Sequence, residues 1–292
     1  MAIAHQRLTL LRHRWTGNTC ILYEDRSGEL QGMTILGLLN RIRKFQVLGR
    51  HNVLTDEASA EQLNKCLRAW RTLKRSRGYL RSLTEGQCVD VEGDPIPWYT
   101  YPAIEQLAKW DFSQADVLEY GCGNSTIWWS TRAHSVTSIE SDPEWFERIK
   151  SQLPSNCSIA LHPIEKGPNL SEQTRRYVGA IDQLGKFDVI VIDGVPNDRM
   201  RLECTKRALS HLLPGGMIIV DNSDWLPLSC REIRDAGLFE IDFCGLSPLN
   251  DYAGATSMFF TPEFHPKPRS PIHPGFVLGG YEWDWETTPK PW

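Results

Sequence analysis

The chain has 292 residues, 41% of them hydrophobic, which is enough apolar side chain for one large core with a small module beside it and excludes a predominantly disordered protein. The formal net charge is −4, but residues 1–90 carry 15 Lys/Arg against 8 Asp/Glu while the remainder carries 17 against 28; a basic front end on an acidic body suits an anionic partner, an oriented surface in a homo-oligomer, or a solvated face. No stretch approaches the roughly eighteen apolar residues of a membrane span, and charges interrupt the apolar runs of MAIAHQRLTLLRHRW, so a cytoplasmic protein without a signal peptide is expected.

In chain order, short apolar pieces alternate with basic residues up to about 53, suggesting a strand or turn at 19–24 and a helix at 33–45. From Thr55, TDEASAEQ supplies a helix start, and Leu63, Cys66, Leu67, Trp70 and Leu73 follow at helical spacing to about Ser76. Lys65, Arg68, Arg71, Lys74 and Arg75 make the helix basic on its other positions, either a solvated face or a docking surface for a polymer. After the Gly/Pro-rich link VEGDPIPWYTYP, strands are expected at 116–120, 135–140, 157–162, 187–193, 217–221, 239–243 and 255–261. Helices are expected at 102–110, 125–133, 143–152, 198–212 and 228–236. The near-continuous Val/Ile runs of the central strands require helices on both faces, hence an open, doubly wound α/β domain. The division expected is a mainly helical N-terminal extension over 1–94, the α/β domain over 95–262, and a Pro/Trp-rich tail over 263–292, with Trp283, Trp285 and Trp292, that straps to the body or covers a site. Eight scattered cysteines without a CxxC pair are expected to be free thiols.

The stretch VLEYGCGNSTIWW carries the first chemical signal. A strand ending at Glu119-Tyr120 runs into Gly121-Cys122-Gly123, where missing side chains let a ligand approach the backbone at the carboxyl end of the sheet. Glu140, 19 residues beyond Gly121, ends the next strand, where its carboxylate can accept from both hydroxyls of a ribose. Together these point to a cofactor bearing adenosine. A dinucleotide fingerprint wants a third glycine where Thr126 stands, which counts against NAD. Trp128 and Trp129 on the following helix are expected in the core.

EYGCGNST, SIESD, FDVIVIDG and LLPGGMIIVDN, in this order, resemble the successive motifs of the class I S-adenosylmethionine-dependent methyltransferases over about residues 95–262. The resemblance implies a mostly parallel seven-stranded sheet whose antiparallel last strand, here ATSMFF, lies beside the fifth. It also implies that Glu119, Gly121 and Gly123 surround the methionine part of S-adenosyl-L-methionine, that Glu140 binds the ribose, and that Asp193 lies beside the transferred methyl. Asn124 and Ser125 complete the cofactor loop, Ser125 standing where the family usually has another glycine.

The acceptor side is more open. After the fourth strand the chain reads DGVPND in place of the Asn/Asp-Pro-Pro-aromatic motif of nucleobase amino-methylating relatives, which disfavours nucleic acid as acceptor. Asp193 with Asp221-Asn222 resembles the ligand set of magnesium-dependent O-methyltransferases, in which Mg2+ would hold an acceptor oxygen and lower its pKa. Gly194-Val195-Pro196 stands where that group has a lysine, and Asp221-Asn222 equally suits a strand cap. Without a metal, Asp193 or Asp224 is the candidate general base. Trp98, Tyr99 and Tyr101 can wall an acceptor site or pack the N-terminal module. Arg199 and Arg201 can clamp an anionic acceptor or begin a solvated helix; His134 and His162, by the sheet ends, are expected to be surface or satisfied histidines. The expected activity is O-methylation of a small molecule, a sugar or secondary metabolite; the alternatives are an RNA- or protein-directed enzyme docking through the basic helix and a non-catalytic cofactor-binding module.

Overall fold

The computed structural model describes residues 9–12, 19–24, 30–34, 60–164, 170–195 and 197–271. The chain divides into two compact units, Met1–Leu67 and Arg68–Trp292. In the first, β1 (Thr9–Arg12), β2 (Thr19–Glu24) and β3 (Leu30–Thr34) form an antiparallel sheet in that order. The strand expected at 19–24 is β2, and the extension, read as mainly helical, also contains three strands beside its helices among the described residues. Its short apolar runs, separated by polar residues, have the length of strands rather than helices. Positions 33–34 of the helix expected over 33–45 belong to β3, and the rest lies outside the described residues. α1 (Ala60–Ser76) confirms the amphipathic helix read from its periodicity.

The second unit begins its sheet domain with α2 (Tyr79–Glu85) and α3 (Tyr101–Leu107). Then follow β4 (Asp116–Tyr120), α4 (Asn124–Ser130), β5 (Ser135–Glu140), α5 (Pro143–Lys150), β6 (Cys157–Leu161), α6 (Leu170–Gly179), β7 (Phe187–Ile192), α7 (Asp198–His211), β8 (Leu212–Asp221), α8 (Pro227–Asp235), β9 (Phe239–Leu246) and β10 (Ala253–Phe260). The strand order is β6-β5-β4-β7-β8-β10-β9. β4 to β8 pair in parallel, and β10 inserts antiparallel between β8 and β9, as expected.

The central strands are buried on both faces because successive side chains alternate across the pleat. Val117, Val189, Val191, Met217 and Ile219 join Trp128, Trp129 and Leu107 on one face. Leu118, Ile190, Ile192, Ile218 and Val220 join Tyr177, Cys204 and Ile233 on the other. Trp128 and Trp129 are core residues meeting edge to face at 4.9 Å. The crossover order reverses between β4 and β7, so the chain diverges there at the carboxyl ends of the strands and leaves a crevice. The described start of the tail straps to the opposite end: the Asp111 and Lys267 backbones pair at 2.8 Å, and Phe264 packs 5.5 Å from Trp110. Trp283, Trp285 and Trp292 lie outside the described residues. The seven cysteines from Cys66 to Cys244 are free thiols. Among the described residues no helix is long and apolar enough to cross a membrane.

Candidate functional site

The site is built around the turn after β4. Gly121 has φ +99°, and a Cβ there would lie 2.9 Å from the Asp193 carbonyl oxygen, so only glycine lets the turn pass against the end of β7. The Cys122 N–H donates to Glu140 at 2.9 Å; the other oxygen of that carboxylate accepts from Ser141 N at 2.6 Å and Asp142 N at 2.7 Å. Glu140 thus ties the glycine turn to the end of β5. Asp142 then caps α5 by accepting from Glu144 N and Trp145 N, with Pro143 at the first helical position. This cap swings Trp145 over the turn: its indole N–H donates to the Cys122 carbonyl, and its ring would meet a Cβ on Gly123 at 3.6 Å.

Beneath the turn, Thr126 explains its own presence. The Gly123 N–H donates to the Thr126 hydroxyl at 3.1 Å, and that hydroxyl donates to Glu119 at 2.6 Å; Ser138 adds a longer bond at 3.3 Å. Glu119 is 1% exposed. Burial pushes its carboxyl up to about 7, although hydrogen bonds from Thr126, Ser125 and Ser138 pull the other way. Glu119 therefore acts as the floor of the turn. Asn124 spends its side-chain amide on the Cys88 carbonyl at 2.7 Å.

The ends of β7 and β8 form the other half. Asp193, 27% exposed, adjoins Gly121, and its N–H donates to the Tyr120 carbonyl at 3.1 Å. Burial raises its carboxyl above the usual range, the neighbouring Glu140 charge adds to this, and the Arg201 guanidinium opposes it. Asp221 is buried and accepts from Thr256 at 2.6 Å; burial and the Asp193 charge raise it well above an ordinary carboxyl. Arg201, 4% exposed, lies between the two loops, donating to the Asp221 carbonyl at 2.7 Å, to Asn222 Oδ1 at 3.4 Å and to Asp193 Oδ1 at 3.4 Å. This corrects both expectations for Arg201: it is neither a solvated residue nor one free to clamp an acceptor. Arg199 is exposed.

The three residues expected to hold Mg2+ do not fit one. The Asp221 carboxylate is turned to Thr256, while Asp193 and Asn222 already face a guanidinium, so a cation would meet one carboxylate and a positive charge. Among the described residues no group of three or more His, Cys, Asp and Glu is arranged to hold a metal.

PWYTYP splits. Thr100 is pinned on both sides, its N–H donating to Thr256 at 3.0 Å and its hydroxyl to the Phe243 carbonyl at 2.7 Å. Tyr99 is fully buried with its hydroxyl 3.5 Å from the Trp129 indole nitrogen, and Tyr101 is also core, which takes both rings off the acceptor surface. Trp98 remains exposed, its indole N–H donating to Asn250 at 3.1 Å. Trp225, 56% exposed, stacks on exposed Tyr252 with centroids 6.2 Å apart. Asp224 is exposed and accepts from Ala255 N at 3.1 Å. His134 meets Asp116 at the far end of β4, and burial lowers the pKa of His162.

Residues 118–223, from β4 to the turn after β8, match the family model described as a methyltransferase domain. Over these residues the chain carries a methyltransferase domain. Among solved structures similar to it are precorrin-6y C5,15-methyltransferase from Geobacter metallireducens GS-15, 15% identical over 55% of this chain and 88% of that one, with a TM-score of 0.41. Others are the N-methyltransferase NodS from Bradyrhizobium japonicum WM9 (18% identical, 55% and 91% covered, TM-score 0.38) and an rRNA methylase from Streptococcus thermophilus (12% identical, 55% and 96% covered, TM-score 0.39). No curated protein matches the chain.

Within this methyltransferase domain the crevice brings Glu119, Gly121, Gly123, Glu140 and Asp193 together. The glycine turn packs against the Asp193 backbone and the Trp145 ring, and the surrounding carboxylates suit a cofactor carrying a sulfonium and an ammonium group. The sequence reading missed Trp145, Trp225, Tyr252 and the structural place of Arg201. Arg201 alone left a signal, since Arg201, Cys204, Thr205 and Ala208 fall on the buried stripe of α7.

Proposed function

We propose that this methyltransferase transfers the methyl group to an oxygen of a small, ring-bearing molecule, a sugar or secondary metabolite. The observation that carries this reading is the exposed aromatic rim of Trp98, Trp225 and Tyr252. Each lies near the end of β8, which supports this reading: Trp225 ends the short 3-10 turn after Asp221-Asn222, Tyr252 precedes β10, which pairs Thr256 with Asp221, and Trp98 bonds Asn250. Open aromatic faces of this kind stack on the ring of a compact acceptor and exclude water from it. Asp224 and Asp251 adjoin the rings in sequence and provide acceptors for hydroxyl groups.

S-adenosylmethionine, when bound, supplies a methyl group on a sulfonium that departs by in-line displacement. Glu140 orients the ribose, and Gly121 and Gly123 give the methionine part close access to the backbone. Asp193 is the general base of choice over Asp224, since it adjoins the glycine turn, whereas Asp224 is exposed and bound to Ala255 N. Asp193 takes the hydroxyl proton as the oxygen–carbon bond forms, and its raised pKa suits this work near neutrality. The rest of the acceleration is alignment and desolvation.

Labelled methyl transfer into a fractionated metabolite extract tests this. Label is expected in the low-molecular-mass fraction as an ether or ester. Trp225→Ala is expected to raise KM for that acceptor about ten-fold, or ~1.4 kcal/mol, with kcat little changed. Label found only in RNA or protein, with cofactor binding intact, would overturn the acceptor class.

A further inference from the structure

The guanidinium of Arg201 lies in a shell made of oxygen. Its Nε donates to the Val195 carbonyl at 3.2 Å, one terminal nitrogen to the Asp221 carbonyl at 2.7 Å and Asn222 Oδ1 at 3.4 Å, and the other to the Gly194 carbonyl at 2.8 Å and Asp193 Oδ1 at 3.4 Å. Three of these partners are main-chain carbonyls, one is a carboxylate and one an amide oxygen. Such a set is what a hard divalent cation takes. Burying a guanidinium is tolerated only when its donors are satisfied, and here the shell satisfies them at 4% exposure.

The placement is built from local structure. Asn197 caps α7 by accepting from Met200 N at 3.1 Å, which starts the helix in a phase that turns Arg201 onto its buried stripe. The side chain then reaches the loops after both β7 and β8. Asn222 has φ +54°, the one non-glycine residue with positive φ among the described residues. Asparagine tolerates this region better than most residues, and Arg201 holds it there from both its side chain and the carbonyl before it.

We propose that Arg201 is the resident cation of this methyltransferase site. Its guanidinium takes the place between Asp193 and Asn222 that a divalent ion would need, positions the Asp193 carboxylate, and leaves a latent divalent-cation site behind when it is removed. Arg201 is a positioning residue: it acts through Asp193 and the two loops. The consequence for transfer rests on Asp193 being the base, but the cation shell does not, so the test uses no acceptor.

Mn2+ uptake by the full-length chain, followed by electron paramagnetic resonance of the free ion, decides the matter. The wild-type protein and Arg201→Lys are expected to take up no Mn2+ at this site. Arg201→Ala is expected to bind one equivalent at least ten-fold more tightly than any wild-type uptake, and Asp193→Asn in that background is expected to abolish the gain. A brace with a merely structural role would lower stability in Arg201→Ala without creating metal affinity. Wild-type Mn2+ binding that disappears in Asp193→Asn, or a folded Arg201→Ala that takes up none, overturns the proposal. Should Arg201→Ala not fold unaided, refolding with and without Ca2+ decides: recovery only with the ion supports the resident-cation role, and no recovery in either rejects it. S-adenosylhomocysteine binding by the wild type, measured alongside with and without chelator, reports separately on the cofactor assignment.

Discussion

The two halves of the crevice are made differently. At the ends of β4 and β5, the cofactor half is assembled from neighbours: Glu119, Gly121, Gly123 and Thr126 lie within eight residues, and Glu140 reaches back to Cys122 through one hydrogen bond. Its polar groups are mostly backbone N–H groups satisfied by carboxylates and hydroxyls. At the ends of β7 and β8, the half proposed to hold the acceptor is assembled from Trp98, Asp193, Arg201, Asp221, Trp225 and Tyr252, joined by sheet pairing, a buried guanidinium, the Trp225–Tyr252 stack and the Trp98–Asn250 hydrogen bond. Short-range construction gives a preformed cofactor turn, while long-range construction lets the acceptor rim vary without disturbing it.

The largest test of this contrast is Glu140→Ala. It leaves the N–H groups of Cys122, Ser141 and Asp142 without their carboxylate and removes the proposed ribose acceptor at once. S-adenosylhomocysteine affinity is expected to fall roughly 100-fold, about 2.7 kcal/mol, by calorimetry. A fall of less than about three-fold would mean that the turn stands without Glu140 and that the cofactor half is not self-contained.

A second test sharpens the role of Glu119 as floor. Its pKa is raised from the ordinary 4.5 to about 7 in the folded chain. The protonated form is thus favoured by folding, so the contribution to stability is full below about 4.5 and is lost as pH rises through about 7. Across that window the loss is about 3 kcal/mol. Glu119→Gln keeps an acceptor for Thr126 and cannot titrate, so its melting temperature is expected to fall less than the wild type's between pH 4.5 and 7. Parallel pH curves for the two proteins would show that the Glu119 charge is already compensated.

The same contrast explains what was legible in the sequence. The sheet strands and the tight turn from Glu119 to Gly123, tied to Glu140, could be read because each motif is contiguous and its backbone consequence is local. For Tyr99 and Tyr101 the sequence leaves packing and an acceptor wall open, because a run of aromatics does not state which rings turn inward; Thr100, fixed to Thr256 and Phe243, sets that. Trp225 and Tyr252 were not read because only the antiparallel return of β10 brings them together. Arg201 reads as an anion clamp or a solvated helix start because arginine is seldom buried, and its oxygen shell comes from two loops that the sequence does not place side by side.

The smallest expected effect concerns the basic helix α1. Trp70 of α1 meets Tyr79 edge to face at 6.2 Å, and the Tyr79 hydroxyl donates to the Asn250 carbonyl at 2.8 Å, the residue that also holds Trp98. Trp70 therefore ties the helix through Tyr79 to Asn250, beside the proposed acceptor rim, while Arg68 and Arg71 are exposed. If those arginines serve only as a solvated face, Arg68→Ala with Arg71→Ala changes small-molecule transfer less than two-fold, within about 0.5 kcal/mol. A polymer substrate makes the opposite demand, because each phosphate contact releases counterions and steepens the salt dependence of binding. Transfer to total RNA that falls about ten-fold in the double variant, and whose salt dependence flattens with it, would join α1 to the rim as one extended acceptor surface. Unchanged turnover with an unchanged salt response would confine the acceptor to the rim, because a compact ring held by Trp98, Trp225 and Tyr252 has no reason to reach α1.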